Sequence, residues 1–252
     1  MQIKSISLKS EAGETFLKWM GVKRKMIFEA VLFDLDGTLI DTLEDIGDAV
    51  NRVLSKKSFP THAILSYRKF VGDGTRILIE RALPKEHRND INIDACLKEY
   101  VEDYSRNYNV KSKLYFGIPN LLDRLKAKGV KLAILSNKLD AMTKTCVNAF
   151  LSKWDFDFVY GQRDSVPPKP NPQGAFEIAK KMSIPPSNFL YLGDTATDMK
   201  TAVSAGMFPV GVLWGFRSSK ELRENGACAV IDQPLAVLDL LQGLSVNPWS
   251  VI

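Results

Sequence analysis

The sequence is poor in the residues that mark several common chemistries. Among 252 residues there are two histidines, His62 and His87. They share no ligand spacing, so neither a histidine metal centre nor a histidine base is indicated, and each reads as a surface residue. Cysteine is equally sparse: Cys96, Cys146 and Cys228 lie far apart, with no C-x-x-C pair. An odd, scattered set argues against a disulfide framework or a zinc ribbon. It suits buried thiols in a reducing compartment, hence a cytoplasmic protein. No apolar run is long enough to span a membrane. The segment before Met26 lacks the continuous apolar stretch of a secretory signal. Internal repeats and low-complexity tracts are also missing.

Excess charge is present but local. The formal net charge is +5, and residues 1–25 carry six Lys/Arg against two Glu. The remainder is nearly neutral, so no broad nucleic-acid-binding face is implied. This Ser/Lys-rich leader is expected to be either a mobile extension or an upstream reading of a gene whose start is Met26.

The strongest signal is Asp34-Leu35-Asp36-Gly37-Thr38-Leu39, directly after the apolar run Ala30-Val31-Leu32-Phe33. Such a run reads as a buried strand. Side chains at i and i+2 point the same way, which lets Asp34 and Asp36 serve one site at a strand's C-terminal end. Two close carboxylates need a counter-charge, for which a hard divalent cation is suited. Taken alone, the stretch is also compatible with an ordinary Asp-Gly turn.

Downstream, Thr42 is placed to cap a helix carrying Leu43, Ile46, Val50, Val53 and Leu54 at helical spacing. Helix-like stretches follow at 62–71, 74–83 and 91–109, with no strand-like run among them. Strands and helices then alternate. A helix at 118–128 precedes the strand Val130 to Leu135, a helix at 139–151 and a strand at 155–160. A helix at 173–182, a strand at 189–192, a helix at 195–205 and a strand at 208–213 come next. A helix-strand-helix passage from Ser218 to Gln242 closes the chain. Alternation predicts an α/β fold, a doubly wound parallel sheet of Rossmann-like form. A strand-to-helix loop normally takes a handful of residues. More than seventy separate Thr42 from Gly117, so an all-helical subdomain is inserted beside the two aspartates. The expected division is a leader at 1–25, a core at 26–42 and 117–252, and a cap at 43–116.

Other candidate residues cluster at the same sheet edge. Ser136-Asn137, with free N–H groups at an expected helix start, suits an anionic oxygen, although an ordinary helix N-cap reads the same. Lys169 is held in Pro167-Pro168-Lys169-Pro170-Asn171-Pro172, where the prolines stiffen the backbone. Asp194 ends a strand in Gly193-Asp194-Thr195-Ala196-Thr197-Asp198, and Asp198 lies one helical turn on. Gly72-Asp73-Gly74 could bend a cap loop toward the site or be only a turn. Trp214-Gly215-Phe216-Arg217 either flanks the entrance or packs at an edge.

Asp-x-Asp-Gly-Thr, Leu-Ser-Asn-Lys, Pro-Lys-Pro and Gly-Asp-x-x-x-Asp, in this order, resemble the motifs of the haloacid dehalogenase-like hydrolase superfamily. Within it, Phe70-Val71-Gly72-Asp73-Gly74, Ile79-Glu80-Arg81-Ala82-Leu83 and Gly211-Val212-Leu213-Trp214-Gly215-Phe216-Arg217 are similar to the phosphoglycolate phosphatase-like branch. The resemblance covers about Phe28 to Leu241. It implies that Asp34 is a nucleophile forming an aspartyl phosphate and that Asp36 is the general acid and base. It implies Mg²⁺ held by Asp34, Asp194 and the backbone carbonyl of Asp36. Ser136 and Lys169 would hold phosphoryl oxygens, and Asp198 would orient Lys169 or act through the metal's water shell. Gly37, Thr38, Asn137 and the cap residues Gly72, Asp73 and Gly74 are the candidate substrate contacts.

The implied activity is Mg²⁺-dependent hydrolysis of a small phosphorylated metabolite, 2-phosphoglycolate foremost, by a monomer or homodimer. A β-phosphoglucomutase-like sugar-phosphate mutase, a pyrophosphatase and a non-catalytic binding protein are the alternatives. The presence of Asp36 argues against a dehalogenase, because halide departs without a proton and the family's dehalogenases lack this residue. A phosphonate-cleaving relative typically lacks it too.

Overall fold

The computed structural model describes residues 28–241. The expectations for the leader at 1–25 and for Gln242 lie outside the described residues. Strand β1 (Ala30–Phe33) is completely buried. Val31 and Phe33 pack into one apolar layer with Ile118, Leu121, Leu122 and Leu125. Ala30 and Leu32 face the opposite layer, with Ala175, Ile178 and Ala202. A strand covered on both faces must be apolar at every position, which is why this run shows no alternation. Each buried large side chain contributes about 1.5–3 kcal/mol of transfer free energy.

From β1 the chain makes a short strand β2 (Ile40–Asp41) and helix α1 (Leu43–Lys56). A 3₁₀ helix (Ile64–Lys69) follows, then α2 (Thr75–Ala82) and α3 (Asp90–Asn107). The expected helix at 62–71 is therefore a shorter, tighter 3₁₀ turn. These helices enclose a core of their own, in which Ile46, Val50 and Val53 meet Tyr67, Leu78, Tyr100 and Tyr104. The chain returns through β3 (Lys113–Leu114), which pairs antiparallel with β2. This two-strand ribbon, absent from the sequence expectation, ties the two connections together. Buried Asp45 adds to the tie by accepting the backbone N–H groups of Lys111 at 3.0 Å and Ser112 at 2.8 Å.

The remaining elements are α4 (Ile118–Ala127), β4 (Lys131–Leu139), α5 (Asp140–Phe150), β5 (Phe158–Gln162) and α6 (Gln173–Met182). Then come β6 (Phe189–Gly193), α7 (Ala196–Ala205), β7 (Phe208–Val212), α8 (Ser219–Glu224), β8 (Ala229–Ile231) and α9 (Val237–Leu241). The six-stranded sheet has the order β5-β4-β1-β6-β7-β8, and its neighbours run parallel. From β1 the chain winds outward through β4 and β5, then crosses to β6 and winds the other way. The reversal opens a crevice at the C-terminal ends of β1, β4 and β6, where α/β sheets bind ligands.

Both histidines differ from expectation by being half-buried. His62 Nε2 lies 2.8 Å from the Ala82 carbonyl, and His87 packs against Phe59 with ring centroids 4.7 Å apart. They hold the helical insert together, away from the crevice.

Candidate active site

Asp34 follows β1 and is buried. Its Oδ1 lies 2.8 Å from Lys169 Nζ, and the same ammonium is 2.6 Å from Asp198 Oδ1. Three neighbouring segments thus meet through one cation. The Lys169 loop contains a cis Lys169–Pro170 bond and is pinned by Asn137. The Asn137 Oδ1 accepts the Lys169 N–H at 2.8 Å, and its Nδ2 donates to the Lys169 carbonyl at 3.0 Å. Nδ2 also reaches the Gly72 carbonyl of the helical insert at 3.2 Å. The Asn137 amide is thereby committed to bracing.

Ser136 and Asn137 do not begin a helix, contrary to expectation. Strand β4 runs on to Leu139, with an irregular register between Leu135 and Leu139. That irregularity carries both residues past the sheet edge while keeping them buried. Ser136 Oγ accepts the N–H of Lys138 at 3.2 Å, and Ser136 lines the central cleft.

Asp194 directly follows β6 and is fully buried. It accepts the Phe216 N–H at 2.8 Å and approaches the Thr38 hydroxyl at 3.4 Å. The loop between Asp36 and Ile40 passes close under it, with Gly37 at φ +89°. A Cβ on Gly37 would stand 2.4 Å from Asp194 Oδ2. Only glycine combines that backbone with that approach. Trp214 braces the same loop by donating from Nε1 to the Thr38 carbonyl at 2.9 Å. Asp198 opens α7 in a capping box: its Oδ2 accepts the Thr195 hydroxyl at 2.6 Å and the Thr195 N–H at 3.1 Å. Local helix capping therefore fixes the carboxylate that in turn orients Lys169.

Asp34, Asp194 and Asp198 each offer a carboxylate oxygen, all within 4.8 Å of one another. Burial, and then the charges of Asp198 and Asp34, push Asp194 well above the ordinary carboxylate range. Asp34 is pushed up to about 7, first by burial and then by Asp198, while Lys169 pulls the other way. Burial disfavours the charged form of Lys169, but Asp198 and Asp34 outweigh it and hold the ammonium well above its usual range. One lysine among three buried carboxylates leaves negative charge uncompensated. A hard divalent ion with oxygen ligands fits that deficit, and Mg²⁺ belongs to this class. The Asp36 carboxylate is outside the trio.

Asp36 faces the other side of the cleft. Its Oδ1 accepts the Thr42 hydroxyl at 2.8 Å, and Lys138 Nζ sits 3.1 and 3.0 Å from its two oxygens. Thr42 was expected to cap α1, yet its side chain makes no capping bond; the hydroxyl serves Asp36 instead. Lys138 is the residue that sequence reasoning missed. Its side chain is 4% exposed and also donates to the Tyr104 hydroxyl at 3.0 Å. A lysine after an apolar strand ordinarily reads as solvated. The available signal was its position two residues beyond Ser136 on the same strand.

The helical insert covers the cleft. Gly72 and Gly74 line it at φ +124° and +101°. Asp73 is turned to the boundary instead, where it accepts the Thr197 hydroxyl at 2.5 Å and Arg81 Nη2 at 2.6 Å. Arg217 donates to the Val71 carbonyl at 2.9 Å and to the Arg68 carbonyl. Arg68 answers by donating to the Gly215 carbonyl at 2.8 Å. Insert and sheet are therefore fastened by reciprocal arginine contacts around the entrance.

Residues 31–212 match the family described as haloacid dehalogenase-like hydrolase. A phosphoglycolate phosphatase of Mesorhizobium japonicum is 34% identical over 203 residues, covering 80% of this chain and 89% of that protein. One from Aquifex aeolicus is 33% identical over 186 residues, covering 74% and 85%. A candidate phosphoglycolate phosphatase solved from Lactobacillus delbrueckii subsp. bulgaricus superposes with a TM-score of 0.80 at 26% identity, covering 86% of this chain and 99% of that one. With the carboxylate–lysine site at the sheet's switch point, these likenesses show that the chain is a phosphatase of the haloacid dehalogenase-like hydrolase family, in its phosphoglycolate phosphatase-like branch.

Proposed function

We propose that the protein hydrolyses small phosphomonoesters with Mg²⁺ as cofactor, through an aspartyl phosphate on Asp34, and that 2-phosphoglycolate is its substrate. The carrying observation is the division of labour between the two aspartates. Asp34 lies 2.8 Å from Lys169 beside Asp194 and Asp198, whereas Asp36 faces Thr42 and Lys138.

In the first step an Asp34 oxygen attacks phosphorus while the bond to the ester oxygen breaks. Asp36 delivers its proton to that oxygen, so a neutral alcohol leaves. In the second step Asp36 takes a proton from water as the water oxygen attacks phosphorus, and the acyl phosphate bond breaks to regenerate Asp34. Lys169 and the Ser136 hydroxyl hold the phosphoryl oxygens throughout, and Asp198 keeps Lys169 aimed. Asp34, Asp194 and the Asp36 carbonyl would hold Mg²⁺, which when bound cancels the repulsion between an anionic nucleophile and a dianionic phosphate. Catalysis of this type depends on positioning and charge stabilisation. The insert supplies the water-excluding cover.

The relatives from Mesorhizobium and Aquifex carry the name phosphoglycolate phosphatase, which supports the choice of substrate. The test is a steady-state screen of phosphorylated metabolites with Mg²⁺, with glucose phosphates assayed for isomerisation as well as phosphate release. Phosphate release led by 2-phosphoglycolate is expected. Isomerisation of a glucose phosphate would replace the hydrolase reading with a mutase one.

A further inference from the structure

Beyond the catalytic groups, the cleft contains a cation that phosphoryl transfer does not require. Lys169 already offsets the charge around Asp34. Lys138 is a second cation, lining the cleft on the Asp36 side. A buried ammonium is costly to desolvate, and Asp36 already has a hydroxyl partner in Thr42. The surrounding wall is largely apolar, formed by Ile46, Val71, Leu78 and Tyr100 of the insert. Such a wall offers few partners to the hydroxyls of a sugar, which would be buried unpaired. It accepts a short carbon chain readily.

We propose that Lys138 is the specificity-determining residue for the leaving group: its ammonium pairs with a carboxylate attached directly to the ester carbon. The substrate class is then the phosphate esters of small 2-hydroxycarboxylic acids. This rests on the phosphatase reading above. The placement follows from connectivity. Asp36 must reach the ester oxygen to protonate it, and Lys138 Nζ is one hydrogen bond from Asp36, at 3.0 Å. In such an ester the carboxylate carbon is two bonds from the ester oxygen, so an acid group beside Asp36 falls next to Lys138. Tyr104 holds the ammonium from behind, with its hydroxyl at 3.0 Å and its ring centroid 4.5 Å from Nζ. The tyrosine belongs to α3 of the insert, so the anion-binding group is aimed only when the insert is docked.

The experiment compares kcat/KM for 2-phosphoglycolate and ethyl phosphate, which match in chain length and differ in the carboxylate. Wild-type protein with Mg²⁺ should prefer 2-phosphoglycolate by about 100-fold, the scale of one charged hydrogen bond. Lys138→Met should bring the two substrates to within a few-fold of each other, and Lys138→Arg should keep most of the preference. Should Lys138→Met fail to fold, Lys138→Gln serves the same comparison. An equal fall for both substrates would overturn the proposal, since Lys138 would then act only through Asp36. Wild-type protein that turns over both esters without preference would overturn it as well, and would leave the phosphatase reading standing. Turnover of neither ester, nor of any other phosphomonoester, would instead remove the phosphatase reading, and the Lys138 assignment with it.

Discussion

Lys169 Nζ and Asp34 Oδ1 are 2.8 Å apart, and neither side chain is more than 9% exposed. The pairing does not fully relieve the aspartate: burial and Asp198 still raise Asp34 to about 7. A carboxyl whose pKa is higher folded than unfolded binds its proton more tightly in the native state. The metal-free protein should therefore lose stability as pH rises from about 4 to about 7. Asparagine has no proton to lose. Asp34→Asn should melt above wild type at pH 8 without Mg²⁺, and the gap should shrink steadily as pH falls toward 4. The same variant should show no multiple turnover. A pH-independent difference in Tm would contradict the burial argument.

The oxygen cluster of Asp34, Asp194 and Asp198 leads to a second expectation. Treatment with EDTA should abolish turnover, and Mg²⁺ should restore it and raise Tm by mass action. Calcium, which prefers a larger and looser ligand shell, should inhibit. Asp194→Asn should lose the Mg²⁺-dependent rise in Tm. Full activity after EDTA would refute the assignment of Mg²⁺.

The contact between Thr197 of α7 and Asp73 joins the core to the insert at 2.5 Å. Although burial pushes the Asp73 carboxyl up, the bonds from Thr197 and Arg81 outweigh it and hold the group below its usual range. Thr197→Val keeps the shape and removes the donor. A loss of about 1–1.4 kcal/mol in the closed arrangement corresponds to a KM rise of roughly five- to ten-fold. The melting temperature should move little. An unchanged KM would show that this contact plays no part in closure.

Gly193 permits the tight approach of α7 to the end of β6. A Cβ there would lie 2.3 Å from the Asp198 Cβ. Gly193→Ala should displace Asp198, misaim Lys169 and cost about 1–3 kcal/mol of stability. Turnover should fall about 100-fold, because misplacement by an ångström is enough for that. A soluble variant with normal kcat would show that Asp198 is not needed to hold Lys169.

Much of this arrangement was legible in the chain itself. Ala30 to Phe33 and Phe189 to Leu192 are apolar at every position, which announces strands covered on both faces. The acids after them announce the active edge. The long passage of helical periodicity after Thr42 announced an insertion. What remained hidden is set by distant partners. Ser136 and Asn137 read as a helix start, whereas β4 runs on to Leu139 with an irregular register against β5, a feature of strand pairing that local propensity does not show. Thr42 read as a cap until Asp36 claimed its hydroxyl. Lys138 drew no role from the sequence, since its partners Asp36 and Tyr104 are 102 and 34 residues away. The arginine exchange between Arg68 and Arg217 spans 149 positions and leaves no local trace.

The sheet order also has a consequence for synthesis. β1 pairs on one side with β4 and on the other with β6, residue 189 onward. Asp34, the proposed nucleophile, is therefore made early, but Lys169, Asp194 and Asp198 emerge far later in translation. A ribosome-bound chain that has released β1 through β5 carries Asp34 in a half-built crevice with no means to react. Competence should appear abruptly when the sixth strand docks, so the recovery of turnover during refolding times that single event.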